Sequence, residues 1–114
     1  MPAPAVEVVA FAVEQIESGG RWWVENGKCV GVMQINPKWS ICTRAELFDP
    51  NVNRAEGKRL LLYWLRRAHG KWSRALAAYN CGNAGLRGEC GGGYARRVLR
   101  LARILESQNA KARE

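Results

Sequence analysis

Residues 4–20 read PAVEVVAFAVEQIESGG and contain the clearest structural signal in this 114-residue chain. Apolar side chains recur at helical spacing through residues 4–18. Pro4 suits the first turn of a helix, and Gly19 with Gly20 forms a stop signal. We therefore predict an amphipathic helix over residues 4–18.

Glu17 is the most informative residue of this predicted helix. On a helical wheel it lies in the apolar stripe formed by Val6, Ala10 and Val13, whereas Glu7 and Glu14 point elsewhere. Apolar surroundings and a helix C-terminus both disfavour negative charge, so the pKa of Glu17 should be raised. An acid that stays protonated beside a cleft can donate a proton to a leaving group, as glycosidases require. The alternative is a helix-end carboxylate that reaches water or pairs with Arg21.

The segment after this helix has a different pattern. Residues 21–42 lack a 3.6-residue repeat, and Asn26-Gly27 is a turn signal that precedes the string CVGVMQI. This pattern indicates a short hairpin or an irregular lobe.

A second long helix should begin at Asp49-Pro50 and continue to about His69. Residues 60–65 are apolar on nearly every side, which is typical of a helix surrounded by others, so we expect this to be the central helix. Gly57 lies one turn earlier and would let a neighbouring element approach closely.

The rest of the chain predicts a helix over about residues 72–80, a glycine-rich loop over 82–93 and a basic final helix. The predicted fold is mainly α, with about five helices around a central apolar helix and a small irregular or hairpin lobe. We expect one domain over residues 1–114, with its core at about 4–106 and a polar tail at 107–114 that frays.

The composition supports a compact core and limits the environment. Apolar residues make up 47% of the chain and include five Trp, so no metal or partner is needed to complete a core. No apolar run approaches the roughly 20 residues that span a bilayer, so we expect no membrane insertion. The start of the chain lacks a basic segment, and we expect no secretory signal in it. A monomer is the default expectation.

The net charge of +8 favours polyanionic partners such as nucleic acid, anionic lipid or acidic wall polymers. Much of the excess lies on one side of the final helix, at Arg96, Arg100 and Arg103, opposite an apolar side formed by Tyr94, Val98, Leu101 and Leu105. A solvated face on a surface helix is the favoured explanation of this pattern over a dedicated nucleic-acid site. Because no nucleic-acid-binding motif accompanies the charge, we do not expect a nucleic-acid partner.

Four cysteines, Cys29, Cys42, Cys81 and Cys90, allow three disulfide connectivities. Pairing Cys29 with Cys42 and Cys81 with Cys90 would close two short loops, each contributing about 3 kcal/mol in the loop-entropy model. Two disulfides would imply an oxidising compartment, and the alternative is four reduced cysteines. Neither pair has metal-site spacing and His69 is the only histidine, so we expect no metal or other cofactor.

Five strings of the sequence resemble motifs of one family when they are taken in order. The chain is similar, over about residues 6–105, to the lysozyme-like lytic transglycosylases, the soluble-transglycosylase catalytic domain related to goose-type lysozymes. The strings are AFAVEQIESGGR (10–21), GVMQI (31–35), LFDPNVNRAEGKRLL (47–61), ALAAYNCG (75–82) and GYARRVLRL (93–101). The resemblance implies a lysozyme-like fold and an enzyme that degrades peptidoglycan.

The resemblance also implies roles for individual residues. It makes Glu17 the acid/base and Ser18 a site-shaping hydroxyl beside it. The predicted substrate contacts are Gln34, with Met33 packed behind it, the cleft-lining Tyr79 and Asn80, and Tyr94, whose hydroxyl would lie near Glu17. Asn53 matches a family position that is more structural than catalytic. Plain core packing is the alternative for Met33, Tyr79 and Tyr94.

The implied reaction needs one carboxyl group and neither metal nor cofactor. Glu17 would protonate the oxygen between N-acetylmuramic acid and N-acetylglucosamine while the substrate's 2-acetamido group assists at the anomeric carbon. Glu17 would then take the proton of the muramoyl 6-hydroxyl, which closes a 1,6-anhydro ring.

The sequence departs from the family pattern around Glu25. The stretch from Glu17 to Gln34 is about one residue short, and Glu25 with Asn26 replaces the usual serine. Glu25 is therefore either a second carboxylate of a lysozyme-type hydrolase or an exposed loop residue. Asp49 is a poorer second carboxylate because it is placed to cap a helix.

Cysteines and tryptophans near the motifs are a further departure. Both candidate disulfides would fix loops that carry cleft residues. Trp22, Trp23 and Trp39 flank the same region, where each could stack on sugar or pack in a small core.

The leading hypothesis is an extracytoplasmic enzyme that acts on peptidoglycan in the periplasm or cell wall. A phage endolysin or virion-associated enzyme, or a domain of a longer exported protein, would fit a chain without its own signal. A non-catalytic cell-wall-binding or structural module is the rival class.

Overall fold

The computed structural model describes residues 3–113, which form a mainly helical domain with a small two-stranded sheet. The elements are α1 (Val6–Glu17), β1 (Glu25–Asn26), β2 (Cys29–Val30), a short 3-10 helix (Pro37–Trp39), α2 (Arg44–Leu47), α3 (Pro50–Arg67), α4 (Trp72–Cys81), α5 (Asn83–Leu86) and α6 (Gly92–Ala112). The predicted fold class is confirmed. The helices predicted at residues 4–18, from Asp49-Pro50 and at 72–80 correspond to α1, α3 and α4.

The predicted hairpin forms at the turn signal. β1 and β2 pair antiparallel, with Glu25 opposite Val30 and Asn26 opposite Cys29. Gly27 has a φ of 62° in this turn, a left-handed conformation that glycine adopts at little cost.

The central helix is α4 rather than α3. The apolar sequence of α3 predicts that other helices enclose it. Leu62 and Tyr63 of α3 are, however, 39% and 42% exposed, so this prediction is wrong. α4 packs against α3, α5 and α6, and its buried side chains are Trp72, Ala75, Leu76, Ala77 and Ala78. Because alanine side chains are small, three helices can approach α4 closely.

The buried face of α1 differs from the predicted stripe. Its buried residues are Val9, Ala12, Val13 and Glu14. α1 packs against both α3 and α6, which turns this face inward and leaves Glu17 half-buried at the edge. The expectation that Glu14 points away from the core is wrong. Its carboxylate is buried because Arg54 of α3 donates two hydrogen bonds to it, of 2.8 and 3.2 Å.

One of the two expected disulfides forms. Cys81 and Cys90 are bonded, whereas Cys29 and Cys42 are free, so the expected Cys29–Cys42 bond is absent. The two free thiols have different surroundings. Cys29 lines a cleft, while Cys42 packs against the hydrophobic core.

The C-terminal helix is longer than predicted at both ends. α6 begins at Gly92 and continues to Ala112, so residues 107–112 are helical rather than frayed. Gln108, Ala110, Lys111 and Ala112 all favour helix, which accounts for the extension. The glycine-rich loop before α6 contains α5, a single turn that the sequence analysis missed. No helix within residues 3–113 is both long and apolar enough to cross a membrane.

Candidate active site

The end of α1 is tied to the GVMQI segment through Ser18. The Ser18 hydroxyl donates to the Val32 carbonyl over 2.7 Å and accepts from the Gly20 N–H over 3.1 Å. Ser18 is 1% exposed, so its hydroxyl makes its hydrogen bonds within the protein. This arrangement fixes Glu17, the last residue of α1, beside the loop that carries Gln34.

Asn53 of α3 holds the same segment from the other side. It is fully buried; its Oδ1 accepts from the Met33 N–H at 2.9 Å, and its Nδ2 donates to the carbonyls of Val30 and Leu47 at 2.8 and 2.9 Å. One side chain thus satisfies three buried backbone groups, which is the structural role expected for it. Asp49, as expected, caps α3 through bonds from the N–H groups of Asn51 and Val52.

Gly57 provides the space that Met33 occupies. A Cβ at this position would collide with the Met33 side chain, so the prediction of a close neighbour at Gly57 is confirmed. From α4, the Tyr79 hydroxyl donates to the Met33 carbonyl at 2.7 Å. Met33 therefore lies between α3 and α4, which fixes the position of the next residue, Gln34.

Gln34 has an unusual backbone and one unsatisfied atom. Its φ is 52°, and its Nε2 donates to the carbonyls of Val24 and Gly31 at 2.9 and 2.8 Å. These two bonds fix the orientation of the amide. Gln34 Oε1 is buried and has no hydrogen-bond donor within residues 3–113. Since a buried acceptor without a donor is costly, this atom is suited to a ligand N–H or O–H.

Glu17 accepts a hydrogen bond from Tyr94 of α6 and does not pair with Arg21. The Tyr94 hydroxyl donates to Glu17 Oε2 at 2.9 Å, whereas Arg21 Nε donates to the Ser18 carbonyl at 2.6 Å. Burial raises the pKa of Glu17 above its ordinary value of 4.5, and the Tyr94 bond and the charge of Arg97 lower it in part. Burial also raises the pKa of Tyr94, so its hydroxyl remains a proton donor in this bond.

A cleft of about 670 Å³ lies between the GVMQI segment, α3 and the end of α4, and neither Glu17 nor Tyr94 is among the residues that line it. Its lining includes Cys29, Gln34, Tyr79 and Asn80. Burial raises the pKa of both Cys29 and Tyr79, and the charge of Glu17 raises each further, so Glu17 acts electrostatically on two residues of the cleft wall. Three of the residues expected at the site, Gln34, Tyr79 and Asn80, therefore meet around one cavity.

The disulfide constrains the elements that carry Tyr79 and Tyr94. Cys81, which lines the cleft, ends α4 two residues after Tyr79, and Cys90 lies four residues before Tyr94. The bond therefore links the end of α4 to the loop that leads into α6.

Glu25 lies on β1 and is exposed. Its carboxylate forms an ion pair with Arg44. The side chains of both partners are roughly half exposed, at 48% and 46%. This corresponds to the expected alternative of an exposed lobe residue.

The three tryptophans near the motifs are surface residues. Trp22, Trp23 and Trp39 are 49%, 57% and 70% exposed, so none of them packs in a small core. Trp39 lines the cleft, whereas Trp22 and Trp23 contact each other edge to face outside its lining, with ring centroids 5.8 Å apart. The hairpin lobe is too small to cover three indole rings.

Several charged residues near the site are not evident from the sequence. Glu56 is 4% exposed and accepts from Ser40, from the Ile41 N–H and from Arg59, and its pKa is lowered mainly by Arg59. The three-residue spacing between Glu56 and Arg59 was the one feature of the sequence that could have indicated this pair. Nothing in the sequence indicated that the charge of Arg97 would act on Glu17.

No cluster of three or more potential metal ligands occurs within residues 3–113.

The helical fold and the cleft beside a half-buried acid define a lysozyme-like domain. The family model described as the transglycosylase SLT domain matches residues 5–96, which is most of the chain, and the chain therefore belongs to this family. Membership makes it a lytic transglycosylase that acts on peptidoglycan. No curated protein matches the chain, and no solved structure matches it.

Proposed function

We propose that Glu17 is the acid/base with which this enzyme cleaves the β-1,4 bond between N-acetylmuramic acid and N-acetylglucosamine, leaving 1,6-anhydro-muramoyl ends. The observation that carries the proposal is the half-buried Glu17 carboxyl, which accepts a hydrogen bond from Tyr94 and acts electrostatically on the cleft residues Cys29 and Tyr79. Its raised pKa favours the protonated form that the first step requires.

The reaction has two proton transfers, both through Glu17. In the first, the Glu17 proton moves to the glycosidic oxygen as its bond to the muramoyl C1 breaks, and the substrate's 2-acetamido oxygen bonds to C1. In the second, the muramoyl 6-hydroxyl oxygen attacks C1, displaces the acetamido oxygen and gives its proton to the Glu17 carboxylate. Tyr94 and Arg97 stabilise that carboxylate between the two steps.

The single-carboxyl outcome is favoured over hydrolysis by the position of Glu25. A hydrolase of the two-carboxylate kind needs a second carboxylate that faces the substrate. Glu25 is instead exposed and paired with Arg44. The raised pKa of Glu17 also favours an enzyme over a non-catalytic wall-binding module.

We also propose that the enzyme works outside the cytoplasm, at the bacterial cell wall, as a phage-encoded or exported protein. The Cys81–Cys90 disulfide supports an oxidising compartment. The exposed Arg96, Arg100 and Arg103 of α6 support attraction to acidic wall polymers.

Mass spectrometry of muropeptides released from purified peptidoglycan tests the reaction. Wild type should release products one water lighter than reducing-end products. Glu17→Gln should lower the rate by about 100- to 10,000-fold, the range for general acid catalysis. Glu7→Gln is the matched control, because Glu7 lies on the exposed side of the same helix.

Three results would contradict the proposal. Reducing-end products that disappear in Glu25→Gln would indicate a hydrolase. An unchanged rate in Glu17→Gln would remove Glu17 from catalysis. A wild-type protein that releases nothing would favour the non-catalytic module.

A further inference from the structure

One wall of the cleft carries aromatic and cationic side chains from the second half of α3. Tyr63, Trp64 and Arg67 line the cavity there, together with the exposed Trp39. These three α3 residues lie outside the five family motifs. The one motif that extends into α3 ends at residue 61. They are therefore a feature of this chain that the proposed reaction does not use.

The guanidinium of Arg67 is held in place by the two rings. Its Nη1 donates to the Tyr63 hydroxyl at 3.0 Å, and its Cζ lies 5.6 Å from the Tyr63 ring centroid and 5.4 Å from that of Trp64. The rings themselves meet edge to face, 5.1 Å apart. One hydrogen bond leaves most of the five guanidinium donors free, in an orientation already fixed by stacking.

Arg67 brings positive charge to a cleft wall that holds no negative charge. Arg59 and Arg67 are the only charged residues that line the cavity within residues 3–113, and no Asp or Glu does. Arg59 is paired with Glu56, whereas Arg67 has no carboxylate partner in the described part of the chain. The cleft therefore attracts anions at Arg67, and a planar guanidinium binds carboxylates well.

We propose that Arg67, held by Tyr63 and Trp64, forms a subsite for carboxylate groups on the peptide stems of the glycan strand. The inference rests on the proposed function, because it places the glycan strand in this cleft. The peptide stems carry carboxylates, whereas the sugar rings of the strand are uncharged. Arg67 thus selects strands that retain their stems, while the exposed ring of Trp39 offers a surface for sugar C–H groups.

A purely structural role for Arg67 is the competing explanation. A basic residue in the last turn of a helix interacts favourably with the helix dipole. Arg66 lies in the same turn and has the same charge, but it is outside the cavity lining. Arg66→Gln is therefore a control that removes the dipole effect without touching the cleft.

The test is calorimetric binding of soluble glycan strands to Glu17→Gln protein, in which the strands should not be cut. Strands whose peptide stems carry free carboxylates are compared with strands whose stem carboxylates have been converted chemically to carboxamides, which removes the charge and creates no new carboxylate. Adding Arg67→Gln should weaken binding of the strands with free stem carboxylates about tenfold, the scale of a charge-assisted hydrogen bond, and leave binding of the amidated strands unaffected. Arg67→Lys should recover part of the loss, and Arg66→Gln should change neither affinity.

Equal weakening for both kinds of strand, no weakening for either, or the same effect from Arg66→Gln would overturn the subsite. Stem-bearing strands that fail to bind the parent protein would overturn it as well. Failure of the proposed reaction is recognised separately. An inactive wild type whose binding still depends on Arg67 and on the stem carboxylates would retain the subsite and reject the reaction.

Discussion

The Tyr94 hydroxyl donates a hydrogen bond to Glu17 Oε2 at 2.9 Å, joining residues that lie 77 positions apart in the sequence. Burial raises the pKa of Glu17, and this bond opposes the shift by stabilising the carboxylate. The two effects suit a group that must first donate a proton and then accept one. The balance between these two effects on the Glu17 pKa can be measured, as can the contribution of the residues that hold the surrounding segments in place.

Tyr94→Phe removes the hydroxyl and keeps the ring. Because the hydrogen bond lowers the pKa of Glu17, its loss should raise that pKa. The alkaline side of the pH–rate profile should therefore move to higher pH. Turnover should fall about tenfold, since the carboxylate formed in the first step loses a stabilising donor. The pH dependence of muropeptide release measures both effects. A lower rate with an unmoved profile would show that Tyr94 only packs.

Protonation of Glu17 should also change stability with pH. Its pKa is higher in the folded state than the ordinary value of 4.5, so the folded state binds this proton more tightly than the unfolded state does. The stabilisation is full below the ordinary value and is lost as pH rises through the folded-state pKa. The Tm of wild type relative to Glu17→Gln should thus decrease as the pH is raised from about 4 towards neutrality. A difference that is constant or increases over that range would contradict the raised pKa.

Asn53→Ala should destabilise the fold strongly. The substitution leaves the Leu47 carbonyl and the Met33 N–H buried without partners, whereas the Val30 carbonyl keeps its bond from the Ile35 N–H. Each group left without a partner costs roughly 1–3 kcal/mol, so we expect a loss of about 2 kcal/mol or more in the free energy of unfolding. Urea denaturation measures the loss. Asn51→Ala, at an exposed position in the first turn of α3, is the control and should change stability little. Similar losses of stability in the two variants would show that the Asn53 side-chain hydrogen bonds do not hold the GVMQI segment.

Dithiothreitol should lower both stability and activity. The Cys81–Cys90 bond closes a loop of about ten residues, worth about 3 kcal/mol in the loop-entropy model. Its loss also loosens α4 against α6, which carry Tyr79 and Tyr94. A Cys29→Ser/Cys42→Ser double variant should lose as much stability in reductant as wild type, because neither thiol is bonded. An unchanged Tm of wild type in reductant would contradict the prediction.

Local signals in the sequence were sufficient for α1, the hairpin, α3 and α4. Asn26-Gly27 predicted the hairpin, and Asp49-Pro50 predicted where α3 begins, because turns and caps depend on residues a few positions apart. The end of α1 was predicted to within one residue, so Glu17 is its last residue. The face that α1 buries was predicted less well. Glu14 is inside because Arg54, forty residues away, neutralises it there.

The sequence by itself therefore determined the helical class, the family and the position of Glu17 at the end of α1, since each is encoded in short strings of neighbouring residues. Only the tertiary structure decided that α4 is the central helix, that Cys29 stays free and that Arg67 lines the cleft without a carboxylate partner among residues 3–113. These properties depend on which helices pack together and on which charges they bring into contact. A local pattern cannot specify contacts between side chains that are distant in the chain.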